Sequence, residues 1–138
     1  MSKELYTTKV AVTGGRDGKA VSQDGLLNVP MAFPKELGGP GGAVNPEILF
    51  AAGFGGCFAS SIKFSAQTLK LDVGPVTVDA SITLFVKEDG SYGLKALLEA
   101  HAPGVTGIDL ERLIAEAKRV CAYANATKGA MDVTVVTK

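Results

Sequence analysis

Apolar and polar positions alternate from the start of the chain. Tyr6, Thr8, Val10 and Val12 interleave with Thr7, Lys9 and Ala11, the two-residue period of a half-buried strand. Gly14-Gly15-Arg16-Asp17-Gly18 predicts a turn, and Lys19 to Gln23 the strand that returns from it. Asp24-Gly25 is a second hairpin signal, after which Leu27, Val29, Met31 and Phe33 alternate until Pro34 stops the strand. Leu37 to Val44, LGGPGGAV, is a glycine-rich connector. Then the period changes. Asn45 to Leu71 opens like a helix: Asn45 can cap it, Pro46 suits the first helical position, and Glu47 complements the positive end of the dipole. The fifteen residues between Glu47 and Lys63 carry no charge. That run is shorter than the roughly 20 apolar residues of a membrane span, so it predicts a helix buried in protein.

Beyond Leu71 the two-residue period returns. Val76, Val78, Ala80, Ile82, Leu84 and Val86 alternate with polar residues, Glu88-Asp89-Gly90 turns the chain, and Tyr92, Leu94, Ala96, Leu98 and Ala100 alternate on the way back. This is a long antiparallel hairpin. Thr106 and Asp109 have capping-box spacing ahead of a helix predicted to reach about Tyr123, with Leu110, Leu113, Ile114, Ala117, Val120 and Cys121 on its apolar face. Met131 to Thr137 closes the chain as a strand. The order predicts an α+β fold of antiparallel sheets around a buried central helix. With no internal repeat and no long linker, one domain over 1–138 is expected.

Composition narrows the function. Fourteen basic residues balance fourteen acidic ones, so no electrostatic case exists for nucleic acid or for an anionic membrane surface. The first residues, MSKELYTTKV, contain no apolar core of a signal peptide, which predicts a cytoplasmic address. In that compartment two cysteines read as core residues, metal ligands or redox groups rather than as a structural disulfide. A single histidine, His101, and the lack of C-x-x-C leave no zinc spacing, so no metal is expected.

The candidate chemistry lies around Cys57, directly after Gly55-Gly56 and close to Gly53. Glycine inside a helix costs about 1 kcal/mol relative to alanine. Either something approaches the backbone closely there, or the helix breaks and restarts just before the cysteine. Cys57 and Cys121 lie 64 positions apart, one on each helix. They read either as two buried cysteines or as a peroxidatic and resolving pair meeting in the core. Arg16 is either a solvated turn residue or a cation brought over a thiol, and Glu47 either a dipole-complementing acid or the carboxylate that holds Arg16. Phe54 and Phe58 flank the thiol and pack in the core; beside a reactive Cys57 they would line an apolar, substrate-binding channel. The segment GGPGG lacks the lysine and the strand-loop-helix setting of a phosphate loop.

Four stretches together carry a resemblance: GGRDG, ELGGPGG, NPEILFAAGFGGCF and VCAYANATKGA. The chain resembles, over essentially its whole length, the organic hydroperoxide resistance (Ohr) branch of the OsmC/Ohr family. The resemblance implies an OsmC-like interwoven homodimer and a thiol-dependent peroxidase that reduces organic hydroperoxides to alcohols. Cys57 then matches the peroxidatic cysteine, Cys121 the resolving one, Arg16 the arginine that holds thiolate and peroxide, and Glu47 the glutamate that orients it. The implied reductant is a dihydrolipoyl dithiol on a lipoylated protein, with no bound cofactor. Ala122 and Ala124 depart from the proline and serine usual after the second cysteine. Two alternatives stand beside this: an OsmC-branch peroxidase with another peroxide preference, and a non-enzymatic, redox-switched dimer that binds an apolar ligand. Catalytic against single-equivalent loss of peroxide separates the last from the first two.

Overall fold

The computed structural model describes residues 2–138, which form two compact units, one up to Leu49 and the other Phe50–Lys138. The first unit holds a three-stranded antiparallel sheet of β1 (Val10–Thr13), β2 (Lys19–Ser22) and β3 (Asn28–Pro30), with β2 in the middle. β1 is shorter than the alternation predicts. Its partner β2 ends where the Ser22 hydroxyl bonds Asp24 at 2.6 Å and the chain turns, so Tyr6 and Thr8 have no strand to pair with. All four β1 residues are exposed, Val12 by 54%, so the expected half-buried strand is an edge strand with an uncovered apolar face. β3 is also shortened: Met31 makes a single parallel bridge to Val44, and Phe33 lies outside the sheet. Pro30 and Pro34 lack the N–H groups a longer ladder needs.

The long helix α1 (Pro46–Leu69) begins in the first unit and continues in the second. Its start is as expected: Asn45 Oδ1 accepts the Ile48 N–H at 2.9 Å. By length and a mean hydropathy of 1.4 it would also suit a membrane span, longer than the uncharged run alone suggested. It is central but not buried all round. The stripe Phe54, Phe58, Ile62 and Ala66 is in the core, whereas Phe64 is 59% exposed, because one chain's sheet and second helix cover a single face.

The second unit completes its core with β4 (Thr77–Val86), β5 (Tyr92–His101), α2 (Gly107–Val120), α3 (Ala122–Thr127) and β6 (Asp132–Thr137). β4 and β5 form the predicted antiparallel hairpin, in register from Thr77↔His101 to Val86↔Tyr92. β6, however, lies parallel to β5, so the sheet is mixed rather than antiparallel. The reason is topological: α2 and α3 form a crossover that returns the chain to the end from which β5 started. Leu98 of β5 and Leu113 and Ala117 of α2 close over the α1 stripe, all three without solvent exposure.

Two expectations about helix ends need correction. Thr106 precedes α2 with extended backbone, but its side chain makes no capping bond; Asp109 instead approaches Arg112 at 3.4 Å. And α2 does not run to Tyr123. It stops at Val120, Cys121 takes extended geometry (φ −69°, ψ 121°), and α3 begins at Ala122.

Candidate active site

Two polar constellations stand out, and each is built within one unit. In the first unit, Arg16 sits in a 3₁₀ turn, Gly15–Asp17, entered through Gly14 and Gly15 at φ +76° and +79°. Those angles strain any residue with a Cβ, which is why the turn that presents Arg16 is glycine-flanked. The guanidinium meets Glu47 of the first turn of α1 as a two-pronged fork, Nη1 donating to Oε2 at 2.8 Å and Nη2 to Oε1 at 2.5 Å. Their side chains are 30% and 16% exposed. The Arg16 hydrogen bonds hold the Glu47 carboxyl below the usual carboxylate range, against the opposing effect of partial burial. The same bonds raise Arg16, so both stay charged. The structure thus brings these two sequence candidates together.

In the second unit the two cysteines meet. Cys121 Sγ donates to Cys57 Sγ at 3.4 Å, with both thiols free. Cys57 is half-buried in the middle of an unbroken α1, so neither an exposed amide nor a helix restart lies beside it. The close approach foreseen for the glycines occurs one turn earlier: a Cβ on Gly53 would lie 2.6 Å from the Tyr123 hydroxyl. Tyr123 there packs against Phe50 and Phe54 with ring centroids 6.1 and 5.6 Å away. Cys121 is fully buried at the joint between α2 and α3, where its sulfur accepts the Ala124 N–H at 3.5 Å. Burial pushes the Cys121 thiol up; the Ala124 N–H opposes this, the neighbouring Cys57 adds to it, and the Ser61 hydroxyl opposes it.

A shallow depression of about 310 Å³ opens on Cys57, lined by Ser60, Ser61, Phe64, Val120 and Ala122 as well. Phe54 and Phe58, expected to flank a channel, are fully buried core residues; the aromatic at the depression is Phe64, one face round the helix. No sequence motif marks Ser61. It is buried, and its hydroxyl donates to the Cys57 carbonyl at 2.9 Å. The signal for it was present, since residues four apart share a helix face. His101 stands apart from this group, its Nδ1 2.9 Å from the Lys138 carbonyl oxygen.

Similarity to known proteins runs along the whole chain. Residues 39–136 match the family described as OsmC-like protein. An organic hydroperoxide resistance protein of Xanthomonas axonopodis pv. citri is 42% identical over 135 residues, covering 96% of this chain and 94% of that protein. The organic hydroperoxide resistance protein OhrA of Bacillus subtilis is 39% identical, covering 98% and 97%. The crystal structure of an organic hydroperoxide resistance protein from Legionella pneumophila superposes with a TM-score of 0.94 at 40% identity, covering 99% of each chain.

Proposed function

The chain belongs to the OsmC/Ohr family, and from that premise we propose that it is a thiol-dependent peroxidase reducing organic hydroperoxides to alcohols. The observation that carries the reading is the pair of free thiols 3.4 Å apart, one opening on an apolar depression and one sealed in the core.

The Cys57 thiolate attacks the distal peroxide oxygen. The O–O bond breaks, the alkoxide leaves and takes a proton to become the alcohol, and Cys57 becomes a sulfenic acid. Cys121 then displaces that oxygen as water and forms the Cys57–Cys121 disulfide, which needs the sulfurs to close by about 1.4 Å to the usual bond length. An external dithiol of the dihydrolipoyl type restores both thiols by exchange. No bound cofactor or metal takes part.

Arg16 binds the thiolate and the peroxide, and Glu47 positions Arg16. Supporting this, the fork has five N–H donors and gives two of them to Glu47, leaving three to meet a second acceptor. Phe64, Val120 and Ala122 supply the apolar surface for the alkyl group, with Phe54 and Phe58 as the packed layer behind. An alkyl peroxide leaves water on entering, gaining about 25 cal/mol per Å² of apolar surface covered, while hydrogen peroxide gains nothing. The working form in this reading is a cytoplasmic homodimer, which would cover the exposed apolar residues of β1 and Phe64 of α1.

The test is multiple turnover of cumene hydroperoxide with dihydrolipoamide. Turnover with dihydrolipoamide should exceed that with glutathione at equal thiol concentration, and alkyl peroxide should be preferred to hydrogen peroxide. Consumption of a single equivalent followed by arrest would overturn the peroxidase and favour a redox-switched binder.

A further inference from the structure

Closing the disulfide requires a proton to leave Cys121, which water does not reach, and to arrive on the oxygen at Cys57, which opens on the depression. In Cys57–S–OH + Cys121–S–H → Cys57–S–S–Cys121 + H2O, the S–O bond at Cys57 breaks and an S–S bond forms. The Cys57 sulfur is reduced, the Cys121 sulfur is oxidised, and the proton of Cys121 ends on the departing oxygen. Thiols attack as thiolates, so that proton must come off as the bond forms. Cys121 has no solvent exposure. Among the described residues, the groups set against its sulfur are Cys57 and the Ser61 hydroxyl from α1 and the Ala124 N–H from α3, and an amide N–H cannot take a proton.

One buried hydroxyl stands at this place. Ser61 lies one helical turn beyond Cys57, is 8% exposed, and shares the depression with Cys57 and with Val120 and Ala122, the two neighbours of Cys121. Its O–H is donated to the Cys57 carbonyl at 2.9 Å. That carbonyl already lies in the α1 ladder, where it accepts the N–H of Ser61 itself. The hydroxyl bond is therefore surplus, and swinging it away strands no buried acceptor. A hydroxyl both gives and accepts protons, which neither the apolar lining nor the exposed cations of α2 can do in this position. Ser60, the other hydroxyl at the depression, is exposed.

We infer that the Ser61 hydroxyl relays the proton that closes the Cys57–Cys121 disulfide, accepting it from Cys121 Sγ and passing its own to the oxygen leaving Cys57. This rests on the peroxidase reading. Ser61 serves the second step, and the attack on peroxide does not need it.

The experiment is quenched-flow oxidation by one equivalent of cumene hydroperoxide, read by intact mass. The sulfenic species is heavier by about 16 Da and the disulfide lighter by about 2 Da. In Ser61→Ala, the ratio of the disulfide-forming rate to the sulfenic-forming rate should fall at least about tenfold near pH 7, and Ser61→Thr should restore it to within about threefold. Without the relay, closure in Ser61→Ala should speed up with pH as more Cys121 thiolate forms, whereas the parent changes little between about pH 7 and 9. Alanine is the stronger helix former, so the variant keeps α1. An unchanged ratio, a Thr variant that fails to restore what Ala lost, or both rates falling together would overturn the relay. A parent that yields neither species overturns the peroxidase reading and the relay with it; a parent that yields both, beside an unchanged Ser61→Ala ratio, overturns the relay alone.

Discussion

The Arg16–Glu47 pair and the Cys57–Cys121 pair are both contacts between residues far apart in sequence, and they differ in what remains to be done. The fork is finished at the carboxylate: two charge-assisted bonds of 2.8 and 2.5 Å engage both Glu47 oxygens and keep both partners ionised, while the other guanidinium N–H groups are left over. The thiols share one S–H···S contact of 3.4 Å between a weak donor and a weak acceptor. One pair holds a shape at rest, while the other is a bond not yet made. Removing a member of the first should give graded losses; removing a member of the second should change which covalent products exist.

The largest effect is expected at Cys57. Cys57→Ser keeps the side-chain size and hence the fold, but the hydroxyl is a poor nucleophile without a base, so turnover of cumene hydroperoxide should fall about a thousandfold or more. Multiple turnover retained in that variant would sink the assignment. Cys121→Ser comes next and behaves differently. It costs about 1–2 kcal/mol of stability for a buried hydroxyl. Its first oxidation should run at near parental rate, after which the sulfenic acid has no internal partner and climbs to sulfinic acid as peroxide rises. Intact mass after one equivalent should show the parent lighter by about 2 Da and the variant heavier by one or two oxygens. Oxygen gained by the parent, with no disulfide, would refute the two-cysteine mechanism.

The same contrast governs what the sequence reveals. Local signals succeed where the local chemistry has no rival. Asn45-Pro46-Glu47 predicts the start of α1, and Asn45 makes the expected bond; Glu88-Asp89-Gly90 predicts the hairpin turn, and β4 and β5 pair through their full lengths. They fail where tertiary context decides. Thr106 has the right spacing yet makes no capping bond, and nothing in Val120-Cys121-Ala122 announces a break, since alanine favours helix. The parallel setting of β6 was legible in principle, because strand, helix, strand in one sheet implies a crossover. For the chemical groups, spacing alone left both cysteines ambiguous. Only the fold reduces 64 positions of separation to 3.4 Å, and only it identifies Phe64 rather than Phe54 or Phe58 as the aromatic at the depression.

Breaking the fork should give a smaller, graded loss. Arg16→Lys keeps the charge and loses the plane, so at most one Glu47 oxygen is matched and the remaining donors point elsewhere. Turnover should fall on the order of 10- to 100-fold, with Cys57 alkylation near neutral pH slowed in parallel. Glu47→Gln should cost less, because an amide oxygen still accepts one bond. Combined, the two substitutions should lose less than the sum of the single effects, as expected for residues acting as a unit. Strict additivity would separate Arg16 from Glu47, and an alkylation rate unchanged in Arg16→Lys would separate Arg16 from the thiol.

The smallest effect is on stability, and the two pairs should mark opposite arms of its pH profile. The Glu47 carboxyl is depressed in the folded protein, chiefly by its Arg16 bonds. Between its folded value and the ordinary value of about 4.3, the unfolded chain therefore binds more protons than the native one, and stability falls as pH drops through this window. The contribution is fully present above the ordinary value, and for a partly buried fork it amounts to about 1 kcal/mol. Asp24, Asp89 and Glu116 are depressed too, so the quantity to read is the difference between the parent and Glu47→Gln, not the raw acid transition. Cys121 has the opposite sign. Its value is raised, first of all by burial, so the native state keeps a proton that the unfolded chain loses above about pH 8.5. Stability contributed there is complete below that value and declines as pH rises toward the folded one. Urea midpoints measured across pH under reducing conditions should thus show Glu47→Gln flattening only the acid arm and Cys121→Ser only the alkaline arm. An acid arm as steep in Glu47→Gln as in the parent would mean that the fork contributes nothing to the folded state, and that Glu47 is there only to hold Arg16.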